Sequence, residues 1–91
     1  MIINSPKSLI FNYGIYTALL VLDHCEKEQY YETCQNIKNA IDYLNYIHDI
    51  NLPTRLEKET YKELKQDVDD IWEEMYYKEY AAKIIKGEIK V

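Results

Sequence analysis

Residues 9–22 constrain the fold of this chain most strongly, because they are apolar on nearly every side. They read LIFNYGIYTALLVL. A helix at the surface of a small protein usually carries one apolar stripe, whereas a helix that is apolar all round has to be covered on most sides. We therefore predict that this segment is the central helix of the fold and that the rest of the chain packs around it.

The composition favours a helical domain that associates with itself. The chain has 91 residues, of which 47% are hydrophobic, and this indicates one folded domain over residues 1–91 rather than a disordered chain. Two glycines and two prolines leave little material for the tight turns of a β-sheet protein. Because a short chain buries only a thin core, we predict an all-α protein that forms a homodimer or a higher oligomer.

Helix start and stop patterns divide the chain into a short helical hairpin and one long C-terminal helix. Ser5 followed by Pro6 is a favourable helix start, and the first helix is predicted over about residues 6–25. The polar stretch at residues 26–29 then interrupts the apolar pattern, and the apolar face lies on a different side of the helix after it, which predicts a turn. The second helix is predicted over about residues 29–49, ahead of Pro53, which disfavours a helical residue before it.

The third predicted helix is long for a domain of this size. Thr54 and Glu57 form a capping box that starts it, and it continues over about residues 54–86 to a C-cap at Gly87. At 1.5 Å per residue its length would be about 48 Å, whereas a compact domain of this size has a radius of gyration of about 12 Å. The sequence therefore predicts that this helix projects, kinks or pairs with a second chain.

Gly14 lies in the middle of the first predicted helix. Glycine at such a position costs about 1 kcal/mol relative to alanine. Its bare backbone would let a neighbouring helix approach closely, with Tyr13 and Tyr16 stacking across the notch. We therefore expect a contact between helices at this position.

Apolar spacing assigns a core-facing seam to each of the later helices. In the second helix, steps of four and three give a seam of Tyr30, Cys34, Ile37, Ile41, Leu44 and His48. Its apolar face is widened by Tyr43, Tyr46 and Ile47. The seam of the third helix comprises Tyr61, Leu64, Val68, Ile71 and Met75, and then Ala82 and Ile85. A second, aromatic stripe predicts a partner outside the monomer and consists of Trp72, Tyr76 and Tyr80.

The two cysteines, Cys25 and Cys34, form no CxxC motif and no disulfide-rich pattern, which predicts an intracellular, cytoplasmic protein. A disulfide between them across the first turn remains an alternative. The neighbouring His24 and Cys25 point apart on a helix, and Cys34 and His48 are separated by about 21 Å of helical rise. We therefore predict no metal site and no cofactor.

The sequence lacks the common catalytic motifs. It has no GxSxG, no HExxH and no phosphate-binding glycine loop, and its third predicted helix has no histidine for a di-metal site. The 14-residue apolar run is shorter than the roughly 20 residues that a membrane-spanning helix needs. We therefore predict a protein that is not an enzyme and does not bind a membrane.

An acidic segment of the third predicted helix is the leading candidate for a partner-binding surface. It mixes carboxylates with aromatic side chains, as many protein interfaces do, and comprises Asp69, Asp70, Trp72, Glu73, Glu74, Tyr76 and Tyr80. We predict that these residues bind a protein with a basic surface, with a merely solvated face as the alternative. The net charge of −5 disfavours direct binding of nucleic acid.

Three functions are consistent with this pattern, and the third is a purely structural oligomerisation unit that binds no partner other than itself. The leading prediction is a small acidic, non-catalytic interaction protein, an inhibitor or adaptor from a virus or mobile element. The alternative is an oligomeric module that binds a nucleotide or another small anion. Its ligand-binding residues would be Tyr77, Lys78, Lys83 and Lys86, which lie near the C-terminal end of the third helix, where cations are favoured.

Overall fold

The computed structural model describes residues 3–55 and 71–91, with residues 71–75 described by their backbone alone, and these ranges contain three helices and no strand. Helix α1 spans Pro6–Lys27, α2 spans Tyr31–His48 and α3 spans Ile71–Ile85. Within these described ranges, the prediction of an all-α fold is confirmed. Thr54 opens a bend, and its predicted capping partner Glu57 lies outside the described residues.

The start of α1 follows from its first residues. The Ser5 side chain accepts a hydrogen bond from the Ser8 backbone N–H at 3.3 Å, and the two hydroxyls are hydrogen-bonded at 2.9 Å. Pro6 occupies the first helical turn, where its missing N–H leaves no bond unmade. The helix is therefore capped as the sequence predicts.

The prediction of an uninterrupted first helix is wrong at Gly14. This residue has φ 88° and ψ 161°, so two helical segments meet there across a kink. Side chains with a Cβ rarely adopt this conformation, whereas glycine adopts it readily. A Cβ placed on Gly14 would lie 3.7 Å from Cε1 of Tyr77 in α3, an ordinary contact distance. The backbone conformation, rather than a lack of space, is what requires glycine.

Helices α1 and α2 form an antiparallel hairpin. The turn lies at residues 28–30, and Gln29 has a positive φ of 62°. Glu26 and Lys38 form an ion pair at 3.1 Å near the turn. At the other end of the hairpin, the Lys7 ammonium lies 3.7 Å from the centre of the Tyr43 ring. These contacts pair the end of each helix with the start of the other.

Helix α1 is the central element of the described structure, since it packs against both α2 and α3. Leu9, Leu19 and Val21 are fully buried, as the sequence predicts for this apolar helix. Phe11 is the exception, because 68% of it is exposed. The described residues thus cover most sides of α1, and they leave one large aromatic side chain in contact with solvent.

The predicted seams are correct in their middle parts and wrong at their ends. In α2, Ile37, Ile41 and Leu44 are buried, whereas the predicted end members Tyr30 and His48 are exposed. Tyr30 precedes the first residue of α2 and His48 is its last residue, so both lie beyond the part of the helix that α1 covers.

In α3 the seam is shifted by one residue. Ala81 and Ile84 are buried, whereas the predicted Ala82 is exposed and Ile85 is only half-buried. The shift places tyrosines on the side of the helix that faces α1. Within the predicted seam of this helix, Tyr61, Leu64 and Val68 lie outside the described residues, and so do the side chains of Ile71 and Met75.

The C-terminal end of α3 closes on the predicted glycine. Gly87 has φ 80°, its N–H donates to the Ile84 carbonyl at 3.1 Å, and the Glu88 N–H donates to the Lys83 carbonyl at 2.9 Å. This is the bonding pattern of a Schellman cap. The chain then turns back, and the Asn4 N–H donates to the Val91 carbonyl at 2.6 Å. The two ends of the described chain are therefore joined.

Candidate interaction surfaces

Four large apolar side chains on the outer side of α2 and just after its end are exposed. We call Tyr43, Tyr46, Ile47 and Ile50 the outer stripe. They follow one another in steps of three, one and three residues, the spacing of a helical docking face. Their exposed fractions are 47%, 84%, 52% and 43%. Scattered single apolar residues are normal at a surface, whereas a contiguous group indicates an interaction site.

The sequence predicted part of this group, with a different role. Tyr43, Tyr46 and Ile47 were expected to widen the core-facing side of the helix, whereas the structure exposes them to solvent. The physical reason is that Ala40, Ile41 and Leu44 already fill the contact with α1. Ile50 was missed, because it lies beyond the end of the helix and outside its periodic pattern.

A hydrogen-bonded turn after α2 holds Ile50, the last residue of the outer stripe. Asp49 adopts a left-handed conformation with φ 51°, and the Ile50 N–H donates to the Asn45 carbonyl at 3.2 Å. The Asn45 side chain then binds the backbone of Leu52 twice, because its Oδ1 accepts from the N–H at 2.7 Å and its Nδ2 donates to the carbonyl at 3.0 Å. Leu52 packs against the core. Ile50 is therefore presented on a fixed scaffold.

Charged residues surround the outer stripe. Asp42 precedes Tyr46 by four residues and is exposed, and Asp49 follows Ile47 and is exposed as well. Lys7 lies over the Tyr43 ring of the stripe. Such a cation–π contact is favourable by about 0.5–1 kcal/mol at an exposed site. The surface thus combines an apolar centre with acidic residues at its edge.

An open groove adjoins the outer stripe at Tyr43. It has a volume of about 600 Å³ and lies between the segment before α1 and the outer side of α2. Its polar lining includes Lys7, Asn36 and Asn39, and the Asn39 Oδ1 accepts a hydrogen bond from Gln35 at 2.8 Å. Tyr43 lines the groove and also belongs to the stripe, so the two features form one continuous surface.

The partner-binding residues predicted from the sequence are only partly within the described structure. Asp69 and Asp70 lie outside it. Trp72, Glu73 and Glu74 lie on the backbone of α3, and their side chains are outside the described residues as well. The two remaining members, Tyr76 and Tyr80, have described side chains.

These two tyrosines occupy different environments. Tyr76 is 57% exposed, whereas Tyr80 is half-buried with its ring centre 5.3 Å from that of Tyr13 in α1. Tyr76 and Tyr80 also contact each other at 5.9 Å between ring centres. Of the predicted aromatic stripe, Tyr76 is therefore available to a partner and Tyr80 packs inside the chain.

A cluster of tyrosines brackets the kink in α1. Tyr13 contacts Tyr80, and Tyr16 contacts Tyr77 edge to face with ring centres 5.5 Å apart. Gly14 lies between the two contacts and against Tyr77. The expectation of a helix–helix contact at Gly14 is therefore met, with each flanking tyrosine paired to a tyrosine of α3.

The residues of the predicted ligand site point in different directions. Tyr77 packs against α1, whereas its neighbour Lys78 is exposed. Lys83 forms an ion pair with Glu79 at 3.3 Å, and Lys86 is exposed in the turn after α3. Within the described residues, the structure brings Tyr77 to α1 rather than to these lysines.

Cys25 and Cys34 meet in the core beside the hairpin turn. Both are buried free thiols that share a side-chain hydrogen bond. Burial, reinforced by the neighbouring Cys34, raises the pKa of the Cys25 thiol from 9.0 to about 11. Burial also raises the pKa of Cys34. In the part of the chain that the structure describes, no three histidine, cysteine or acidic side chains are grouped to hold a metal ion.

Comparisons with protein-family models, curated proteins and solved structures gave no match to this chain. The roles of its residues therefore rest on its own chemistry. Within residues 3–55 and 71–91, none of the helices has both the length and the apolar character that crossing a bilayer requires.

Proposed function

We propose that this chain is a small, acidic, non-catalytic interaction protein that docks on a protein with a basic surface. In this role it acts as an inhibitor or adaptor, of the kind that viruses and mobile elements encode, in the cytoplasm. The observation that carries the proposal is the outer stripe of α2. Tyr43, Tyr46, Ile47 and Ile50 leave large apolar surfaces in water on a helix whose other side is fully used by the core.

The composition of the outer stripe suits a protein partner. Tyrosine supplies a large contact area at a low cost in side-chain entropy, and it is enriched among the residues that dominate binding energy at interfaces. Tyr46 is 84% exposed, so that nearly all of its surface is available for burial. The two hydrogen bonds between the Asn45 side chain and the Leu52 backbone fix the chain that follows α2. This reduces the entropy that is lost when a partner binds.

The acidic edge selects the chemistry of the partner. Asp42 and Asp49 lie beside the stripe, and the chain as a whole carries a net charge of −5. A basic surface would be attracted to this face and held by the apolar centre. The proposal keeps the partner-binding residues predicted from the sequence, namely Asp69, Asp70, Trp72, Glu73, Glu74 and Tyr76, and a second copy of the chain is a further partner in it.

The outer stripe can be tested by comparing variants in affinity capture from a lysate of the native host. We expect the wild-type chain to retain one stoichiometric partner and the Tyr46→Ala/Ile47→Ala double variant to lose it, because their apolar contact area is removed. Tyr31→Ala is the matched control, since Tyr31 is another exposed tyrosine of α2 that lies outside the stripe. Circular dichroism shows whether the variants retain their helices.

Two results would contradict the proposal. The first is equal retention of the partner by the double variant and by the Tyr31→Ala control. The second is an association rate that stays the same as the salt concentration rises, because screening weakens the attraction between exposed charges that brings the partner to this face. Sedimentation of the same variants measures self-association, and a dimer lost only in the double variant would identify a second copy of the chain as the occupant of the stripe.

A further inference from the structure

We propose that Cys25 and Cys34 form a redox-active pair that closes into an intramolecular disulfide when the chain meets a small-molecule disulfide such as oxidised glutathione. The bond would join the end of α1 to the first turn of α2. This inference is independent of the proposed partner and rests on the geometry of the hairpin turn.

The backbone already holds the two cysteines together. The Tyr30 N–H donates to the Cys25 carbonyl at 2.8 Å, and the Cys34 N–H donates to the Tyr30 carbonyl at 3.0 Å. One residue therefore bridges both cysteines by hydrogen bonds. The ion pair between Glu26, which follows Cys25 directly, and Lys38, one turn after Cys34, holds the same two helices together.

The side chains complete this arrangement. Cys25 is fully buried and Cys34 is 5% exposed, and the two thiols share a hydrogen bond. Closing the disulfide brings the two sulfur atoms from hydrogen-bonding contact to a bonding distance of about 2.05 Å. The last two residues of α1 and the turn at residues 28–30 are all exposed, so a local opening at this end of the hairpin exposes the sulfurs without disrupting the rest of the core.

The reaction is a pair of thiol–disulfide exchanges. The Cys34 thiol loses its proton to solvent, and its sulfur attacks one sulfur of oxidised glutathione, whose S–S bond breaks and releases one reduced glutathione. The Cys25 thiol then loses its proton, and its sulfur attacks the Cys34 sulfur and releases the second glutathione. Two protein thiols are oxidised and one small disulfide is reduced to two thiols, so that atoms and electrons balance.

The structure favours Cys34 as the first nucleophile. Cys34 is the more exposed of the two residues. Burial is the largest cause that raises the pKa of each thiol, and in their shared hydrogen bond Cys25 is the donor and Cys34 the acceptor. Cys25 is thus arranged as the resolving thiol.

The test treats the folded, reduced wild-type chain with excess oxidised glutathione. We expect intact-mass analysis to show a loss of roughly 2 Da, from the two hydrogens removed, and peptide mapping to join Cys25 to Cys34. Because the bond closes a short loop of the unfolded chain, we expect the melting temperature to rise by roughly 10 °C. Dithiothreitol should reverse both changes.

Cys25→Ser and Cys34→Ser are the matched variants. We expect Cys25→Ser to hold a single glutathione adduct on Cys34, and Cys34→Ser to remain largely unmodified. The proposal is overturned if the wild-type chain gains stable adducts without an internal cross-link, links to a second chain, or stays unreacted under conditions in which its thiols react after unfolding. The wild-type measurement is decisive even if a variant fails to fold.

Discussion

Gly14 shows how one residue determines the path of the central helix. Its φ of 88° and ψ of 161° turn the chain between two helical segments, and Tyr13 and Tyr16 pack on α3 from either side of the turn. The sequence marked this position as unusual, because glycine is unfavourable inside a helix. It predicted a close contact and missed the break, since helix propensity measures a cost per residue and carries no information about which conformation glycine adopts.

Replacing Gly14 with alanine should therefore destabilise the fold. We expect Gly14→Ala to lower the free energy of unfolding by about 1–3 kcal/mol, because a residue with a Cβ is strained in this region of backbone conformation. Urea denaturation followed by circular dichroism measures the change. Ala82→Gly is a control for helix propensity, since Ala82 is exposed in α3 and its replacement should cost about 1 kcal/mol. Unchanged stability in Gly14→Ala would mean that α1 can run through this position as a regular helix.

The raised pKa of Cys25 predicts that the free energy of unfolding falls at alkaline pH. Burial and the neighbouring Cys34 raise its pKa from 9.0 to about 11, so between these values the unfolded chain releases a proton that the folded chain retains. Stability attributable to Cys25 is therefore constant below about pH 9 and falls as the pH rises toward 11. We expect a loss on the order of 2 kcal/mol in the wild-type chain relative to Cys25→Ser. Denaturation midpoints measured at pH 8 and pH 11 would contradict this if the two chains lost the same amount.

At the scale of the helices, the sequence predicted where a helix begins or ends better than it predicted which of its faces is buried. The Ser5–Pro6 start and the Gly87 end were found because caps depend on local chemistry. The faces of α2 and α3 were assigned from apolar periodicity, which counts tyrosine as apolar without saying whether it meets core or solvent. Tyr80 therefore belongs to the core side although the pattern assigned it to a partner, and Tyr46 belongs to the solvent side.

The candidate site shows the same limit. The acidic stretch around Asp69 and Glu73 was visible because charges are conspicuous in a sequence. The outer stripe could not be recognised in the sequence, because α2 also supplies core residues. Two separate apolar faces on one helix give the same sequence pattern as one wide apolar face. Only the placement of α1 shows which face is already occupied. The partner surface thus depends on tertiary packing that no local pattern contains.

At the scale of the whole molecule, the segment after α3 closes the fold. The Asn4 N–H binds the Val91 carbonyl, and Ile89 and Val91 pack against the core beside Ile3. This contact could not be predicted from the sequence, because residues 88–91 are too few to show periodicity. The contact joins parts of the chain that are far apart in sequence.

Removing residues 88–91 should therefore weaken the entire fold. We expect the free energy of unfolding to fall by about 1–3 kcal/mol, because the partly buried Ile89 and Val91 lose their apolar contacts. Lys90→Ala is the control, since Lys90 is exposed and its replacement should change stability by less than about 0.5 kcal/mol. Thermal unfolding of both chains measures the difference. A truncated chain as stable as the wild type would show that this segment rests on the core without supporting it.

The central position of α1 has a consequence for how the protein is made in a cell. A ribosome completes α1 well before it completes α3, although α1 depends on α3 for part of its cover. For the interval between the two, the nascent chain displays a helix that lacks the cover that α3 supplies. Apolar surface that is exposed during synthesis favours aggregation, so the time between the completion of α1 and that of α3 is when this chain is most vulnerable to it.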